Sequence, residues 1–116
     1  MAKESAAFRV PKHLEKPTQT WVKSVISDFD LEEHHFKLLV LAAEAWDRAN
    51  AARRVVEVEG LTYNDRFGQP KARPEVAIER DSRIGFARLL RELALDGVDT
   101  PETPRPPRTA DYGNRR

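Results

Sequence analysis

His34 and His35 are the residues whose type first suggests chemistry. Adjacent positions on a helix point about 100° apart, so this pair alone is not expected to share one metal ion. A further ligand one turn on is missing, because Leu38 and Leu39 stand there. There is no cysteine for a thiolate site or a disulfide. The chain has no Gly-rich phosphate loop, no His-Glu-x-x-His and no Gly-x-Ser-x-Gly, the patterns that hold phosphates, zinc or a nucleophilic serine. Its carboxylates are interleaved with lysines and arginines, as on solvated helix faces. We therefore expect no enzyme, no cofactor and no metal site. The remaining chemistry is cationic. Arg9, Lys12, Lys16 and Lys23 form one basic group, and Arg66, Lys71 and Arg73 a second. Such side chains neutralise phosphates without reading sequence, so both groups are candidate contacts to double-stranded DNA.

The formal net charge is only +1, so DNA binding has to rest on distribution. Residues 1–16 hold four basic and two acidic side chains, residues 61–74 three and one, and residues 17–60 five and eight. Basic flanks thus sit on an acidic helical body. No apolar run approaches the roughly 18 residues of a membrane span, and the absence of cysteine fits a reducing cytoplasm.

These groups must be positioned by a mainly α fold. A long central helix is expected over 31–59, with Asp30 as N-cap in a capping box with Glu33 and Gly60 as a left-handed C-cap. It carries two apolar stripes. Leu38, Ala42, Ala45, Ala49, Ala52 and Val56 form a heptad-like seam of mostly small residues, suited to close approach of another helix. That helix could belong to the same chain or to a second subunit, and the seam is the candidate oligomer interface. Phe36, Leu39, Ala43 and Trp46 form a bulkier stripe suited to the chain's own core. A first helix is expected over 17–28, opened by Pro17 and presenting Trp21, Val22, Val25, Ile26 and Phe29. The short link at Phe29 and Asp30 folds it back on the central helix as a helical hairpin.

Leu61, Thr62 and Tyr63 favour strand, Asn64, Asp65 and Gly68 favour a turn, and Pro70 confines a second strand to an edge. A small β-hairpin over 61–73 follows, which must lean on helices or on a neighbouring subunit. Pro74 opens a third helix to about Leu95, with Ile78, Ser82, Phe86, Leu89, Leu90 and Leu93 on one face. Glu79 and Arg83 are spaced for an i,i+4 pair, and Asp96-Gly97 offers a C-cap. Gly85 within it suggests close packing beneath. Residues 1–13 read as a flexible basic arm, 14–97 as the helical core, and 98–116 as a Pro/Arg-rich disordered tail. A core of that size is small to stand alone, which favours self-association.

In order and spacing the chain resembles the phage terminase small subunit family, in its short helical form found in tailed phages and prophages. The likeness runs over about Leu14 to Leu95. It comprises Gln19-Thr20-Trp21 in the first helix, Asp30-Leu31-Glu32-Glu33 before the long Ala- and Arg-rich helix, and Gly60 at its end. Lys71-Ala72-Arg73-Pro74-Glu75-Val76-Ala77-Ile78 then leads into Leu89-Leu90-Arg91-Glu92-Leu93-Ala94-Leu95. It departs from the family pattern at Arg73, where His or Asn is frequent, and at Ala94, where glycine is usual. The resemblance implies a ring-forming homo-oligomer that binds viral DNA at the packaging start. Such a ring presents DNA to the terminase large subunit, which carries the ATPase and nuclease, in the cytoplasm of the bacterial host. Two other readings use the same residues: a small helix-turn-helix regulator, and an oligomeric assembly adaptor that does not touch DNA.

Overall fold

A computed structural model describes residues 8–95. Three helices and one two-stranded antiparallel sheet follow in the order α1 (Lys16–Asp28), α2 (Glu33–Glu59), β1 (Thr62–Asn64), β2 (Pro70–Ala72) and α3 (Pro74–Glu92). The mainly helical expectation and the hairpin hold. The tail over 98–116 and residues 1–7 lie outside the described residues, as does the Asp96-Gly97 cap.

α2 is the element that both other helices cover. Leu39 and Ala43 pack with Leu14, Val22, Val25 and Ile26 into a cluster that joins α1 to α2, sealed by Phe8, Val10, Trp21 and Phe36. The alanine seam lies on another side of α2, and α3 is its most extensive helical neighbour. Ala42 is 0 % exposed, and Ala45, Ala49, Ala52 and Val56 are buried with it. The seam expected to face a second subunit is thus covered within one chain. Small side chains let α3 approach closely, and nothing of the seam except part of Leu38 is left for another molecule. Trp46 projects between the two stripes, into the notch separating α1 from α3. It is therefore 46 % exposed rather than part of the core.

The ends of α2 differ from expectation in instructive ways. The N-cap is Glu32, whose side chain accepts from the His35 N–H while His35 Nδ1 accepts from the Glu32 N–H at 3.1 Å. An imidazole acceptor three residues into the helix serves as well as the glutamine of a capping box, so the helix starts two residues later than Asp30 and Glu33 predict. At the other end Gly60 has φ 92° and ψ −179°. Glycine is needed there, but for an extended turn into β1 and not for a left-handed helical cap.

α3 stops at Glu92 through a Schellman arrangement: the Leu95 N–H bonds to the Leu90 carbonyl and the Ala94 N–H to that of Arg91. Ala94 takes the positive-φ position at 60°, a conformation usually given to glycine. Of the predicted α3 face only Ser82 is fully buried, bonded by Arg48 at 3.1 Å. Ile78 stays 40 % exposed, because α3 has only α2 beneath it and α1 touches its edge. Glu79 and Arg83 form the expected pair at 3.2 Å. Gly85 does not mark a close approach, since a Cβ built there meets nothing within 4 Å. Gly85→Ala should consequently stabilise the protein by about 0.5–1 kcal/mol, through helix propensity and a less free unfolded chain. A rise in the denaturant midpoint at constant slope would register it, and an unchanged or lower midpoint would mean that this face is occupied.

A lysine face on α1 and a stapled hairpin

The two basic groups fare differently. Residues 8–13 are not a free arm: Phe8 stacks on Phe36 with ring centroids 4.7 Å apart, and His13 Nε2 lies 2.9 Å from Glu44. Arg9, Lys12, Lys16 and Lys23 are nonetheless exposed, and none forms an ion pair with another described residue. Lys16, Thr20 and Lys23 recur at helical spacing on the outer side of α1, with Ser24 and Ser27 beside them. The only carboxylate within α1 is Asp28, at its last residue. The result is a cationic and hydroxylic face with Asp28 alone at its C-terminal edge, suited to phosphate oxygens.

The position of α1 is set from across the fold. Asp47 of α2 accepts the Thr18 hydroxyl on one oxygen and the Glu15 N–H on the other, at 2.9 Å. Arg54 reaches the Glu15 carboxylate at 2.9 Å. Sequence reasoning did not find Asp47, because its partners are 29 and 32 residues away. A helix opening on Glu-Lys-Pro, with no Ser, Thr, Asp or Asn to cap it, was the available signal.

In the hairpin, Thr62 pairs with Ala72, Tyr63 with Lys71 and Asn64 with Pro70. Asp65 closes the turn, its Oδ1 accepting the Phe67 and Gln69 N–H groups at 2.8 and 2.9 Å, and Gly68 supplies φ 78°. Arg73, expected to meet DNA, is hydrogen-bonded within the fold. Its guanidinium donates to the carbonyls of Gly60, Thr62 and Glu59 at 3.1, 3.2 and 3.4 Å. It thereby staples the end of α2 and β1 to the start of α3. Lys71 lies 4.0 Å from Asp65. Arg66 is the least committed of the three, stacked over the Phe67 ring at 5.1 Å.

We expect Arg73→Ala to cost about 1–2 kcal/mol, the worth of a few partly exposed charge-assisted hydrogen bonds. Amide exchange at Thr62 and Ala72 should accelerate while duplex binding stays unchanged. A selective loss of DNA affinity with no change in exchange would restore Arg73 to the DNA-binding set.

Apart from the Arg73 bonds the hairpin is open: all six strand residues are exposed. Around it Val58 is 80 % exposed and Phe67 77 %, with Leu61 and Tyr63 also open. An isolated two-stranded hairpin is marginal in water, and this end of the molecule concentrates its uncovered apolar side chains.

The histidines come closer than helix geometry alone suggests. The His34 and His35 rings are 4.2 Å apart, and ligand atoms of Glu32, His34 and His35 lie within 4.8 Å of one another. His35 Nδ1 is spent on the helix cap, however, and the positive end of the α2 dipole disfavours a cation there. The cluster reads as an N-cap. No protein-family model matches the chain, and neither a curated protein nor a solved structure does.

Proposed function

We propose that this protein is the small subunit of a phage-type terminase: a self-associating, non-enzymatic helical protein that holds duplex DNA for a separate large subunit carrying the ATPase and nuclease, in the cytoplasm of a bacterial host. The exposed lysine face of α1, with its single acid at the far end, is the observation that carries this reading. Arg9, Lys12, Lys16 and Lys23 are the proposed phosphate contacts, with Arg66 as an outlier on the hairpin. Repetition of four such charges around an oligomer multiplies a field that is weak in one copy. Self-association is assigned to the hairpin end, where Val58, Leu61, Tyr63 and Phe67 are uncovered, because the alanine seam is already filled by α3.

A helix-turn-helix regulator is a poorer fit. Its reading helix would be α2, whose first turn exposes Glu32 and Glu33, and carboxylates there repel phosphates. An adaptor that never meets DNA is the stronger rival.

Salt-dependent duplex binding separates the two. The logarithm of affinity should fall linearly with that of salt, and a variant with Lys12, Lys16 and Lys23 all replaced by Ala should lose about 3 from the slope, near 0.9 per phosphate contact. Native mass spectrometry of the same samples should show one closed multimer, with and without DNA. Absence of duplex binding at low salt would hand the assignment to the adaptor. A monomer at every concentration would remove the ring.

A further inference from the structure

Between α1 and α3 runs an apolar groove of about 330 Å³, lined by Pro17, Thr18, Trp21, Trp46 and Phe86. Its three aromatic rings form a continuous ridge: Trp46 and Phe86 have centroids 5.0 Å apart, and Trp21 and Phe86 5.8 Å. A second depression of about 230 Å³ continues it past Ala49, Asn50 and Arg83. The only hydroxyl in the lining, that of Thr18, is already bonded to Asp47. A peptide with many free N–H groups would leave them unsatisfied in such a groove. A proline-rich one brings few, and aromatic-lined grooves are the usual seat of polyproline II segments.

The chain supplies such a segment itself. Pro101, Pro104, Pro106 and Pro107 follow α3 closely. Phe86 and Leu93 are seven residues apart on one side of α3, and Leu93 and Leu95 pack against the α1–α2 core. The chain therefore leaves α3 on the side that carries the groove. The Schellman turn ends the helical course there, with Ala94 at positive φ and the Leu95 N–H bonded to the Leu90 carbonyl. Six residues of helix lie between Phe86 and the end of α3 at Glu92, roughly 9 Å at the helical rise, and the closing turn to Leu95 follows. The six steps from Leu95 to Pro101 cover roughly 19 Å as polyproline II. Reach is sufficient.

We propose that the segment Pro101–Pro107 of the same chain docks in this groove as a polyproline II strand, its proline rings stacked on Trp21, Trp46 and Phe86. Asn50 and Arg83 on the rim can donate to the carbonyls that the prolines present. The inference stands on the groove and the sequence alone and is independent of any role in DNA packaging.

Both of the chain's two tryptophans line the groove, so their fluorescence reports its occupancy directly. In the full chain, replacing Pro101, Pro104, Pro106 and Pro107 together by Ala should shift tryptophan emission to the red and raise its quenching by acrylamide. Adding a synthetic peptide of residues 98–110 at millimolar concentration should reverse both changes. In the unmodified chain, nuclear Overhauser contacts should join proline ring protons to both indoles. Equal quenching of the two proteins, or no proline–indole contacts in the unmodified chain, would overturn the proposal. Protection of the tryptophans that falls on dilution would overturn it too, because the occupant would then be another copy.

Discussion

Ala45→Glu should abolish cooperative folding of the monomer. Ala45 is buried in the α2 seam, at 3 % exposure. Glutamate would bring one more methylene and an unpaired carboxylate, four extra heavy atoms in all, into a helix interface that alanines hold close. Removing one partner of a buried ion pair, which also leaves an uncompensated charge, costs about 3–5 kcal/mol. Overpacking adds about 1–3 kcal/mol. A small domain has on the order of 5–10 kcal/mol in total. Ala51→Glu is the matched control, with the same helix propensity at an exposed position of the same helix; it should stay within about 0.5 kcal/mol of the parent. Thermal melts followed by circular dichroism compare the two. If Ala45→Glu melted like the control and lost only its oligomeric state, the seam would face another subunit after all.

Leu39→Ala should be the most damaging truncation, costing about 3 kcal/mol within the range of 2–5 for buried leucine. Leu39 is 0 % exposed and is the largest fully buried side chain. It stands where Val22, Val25 and Ile26 of α1 meet α2, so the cavity falls between those two helices and not under α3. Denaturant titration should show the midpoint falling, and hydrogen exchange should rise in α1 before α3. A cost below 1 kcal/mol would mean that α1 closes over the gap, and that the α1–α2 contact is less tightly packed than it looks.

Much of the fold could be read from residue order. Two apolar stripes on one helix predicted two packing partners, and the prolines and glycines at 60, 68, 70 and 74 placed the hairpin and the start of α3. The errors share one physical origin, in that periodicity gives the face but not what covers it. The alanine seam was equally consistent with a helix of its own chain or a neighbour's, and only the fold shows that α3 fills it. Trp46 lies near enough to the Phe36–Leu39–Ala43 stripe to be counted with it, yet it falls in the notch between partners. Arg73 was chosen for its charge, and its hydrogen bonds to the carbonyl groups at 59, 60 and 62 are not revealed by the local sequence. The exposed placement of Lys16 and Lys23 on α1 was legible in advance. Helical spacing and the single acid at the far end of that face are properties of the sequence alone.

The tethering of α1 by Asp47 makes its shape conditional. A 13-residue helix without a side-chain cap of its own is marginal in isolation, since peptides shorter than about 12–15 residues are seldom helical in water. The Glu15 N–H and the Thr18 hydroxyl at its start are held by an acceptor on α2, so undocking would remove the packing and these bonds together. Lys16 and Lys23 keep their separation of roughly 10 Å along the axis only while that hold lasts. The spacing of the cationic face is thus a tertiary property carried by a secondary element, and whatever loosens α1 from α2 erases the pattern as well as moving it.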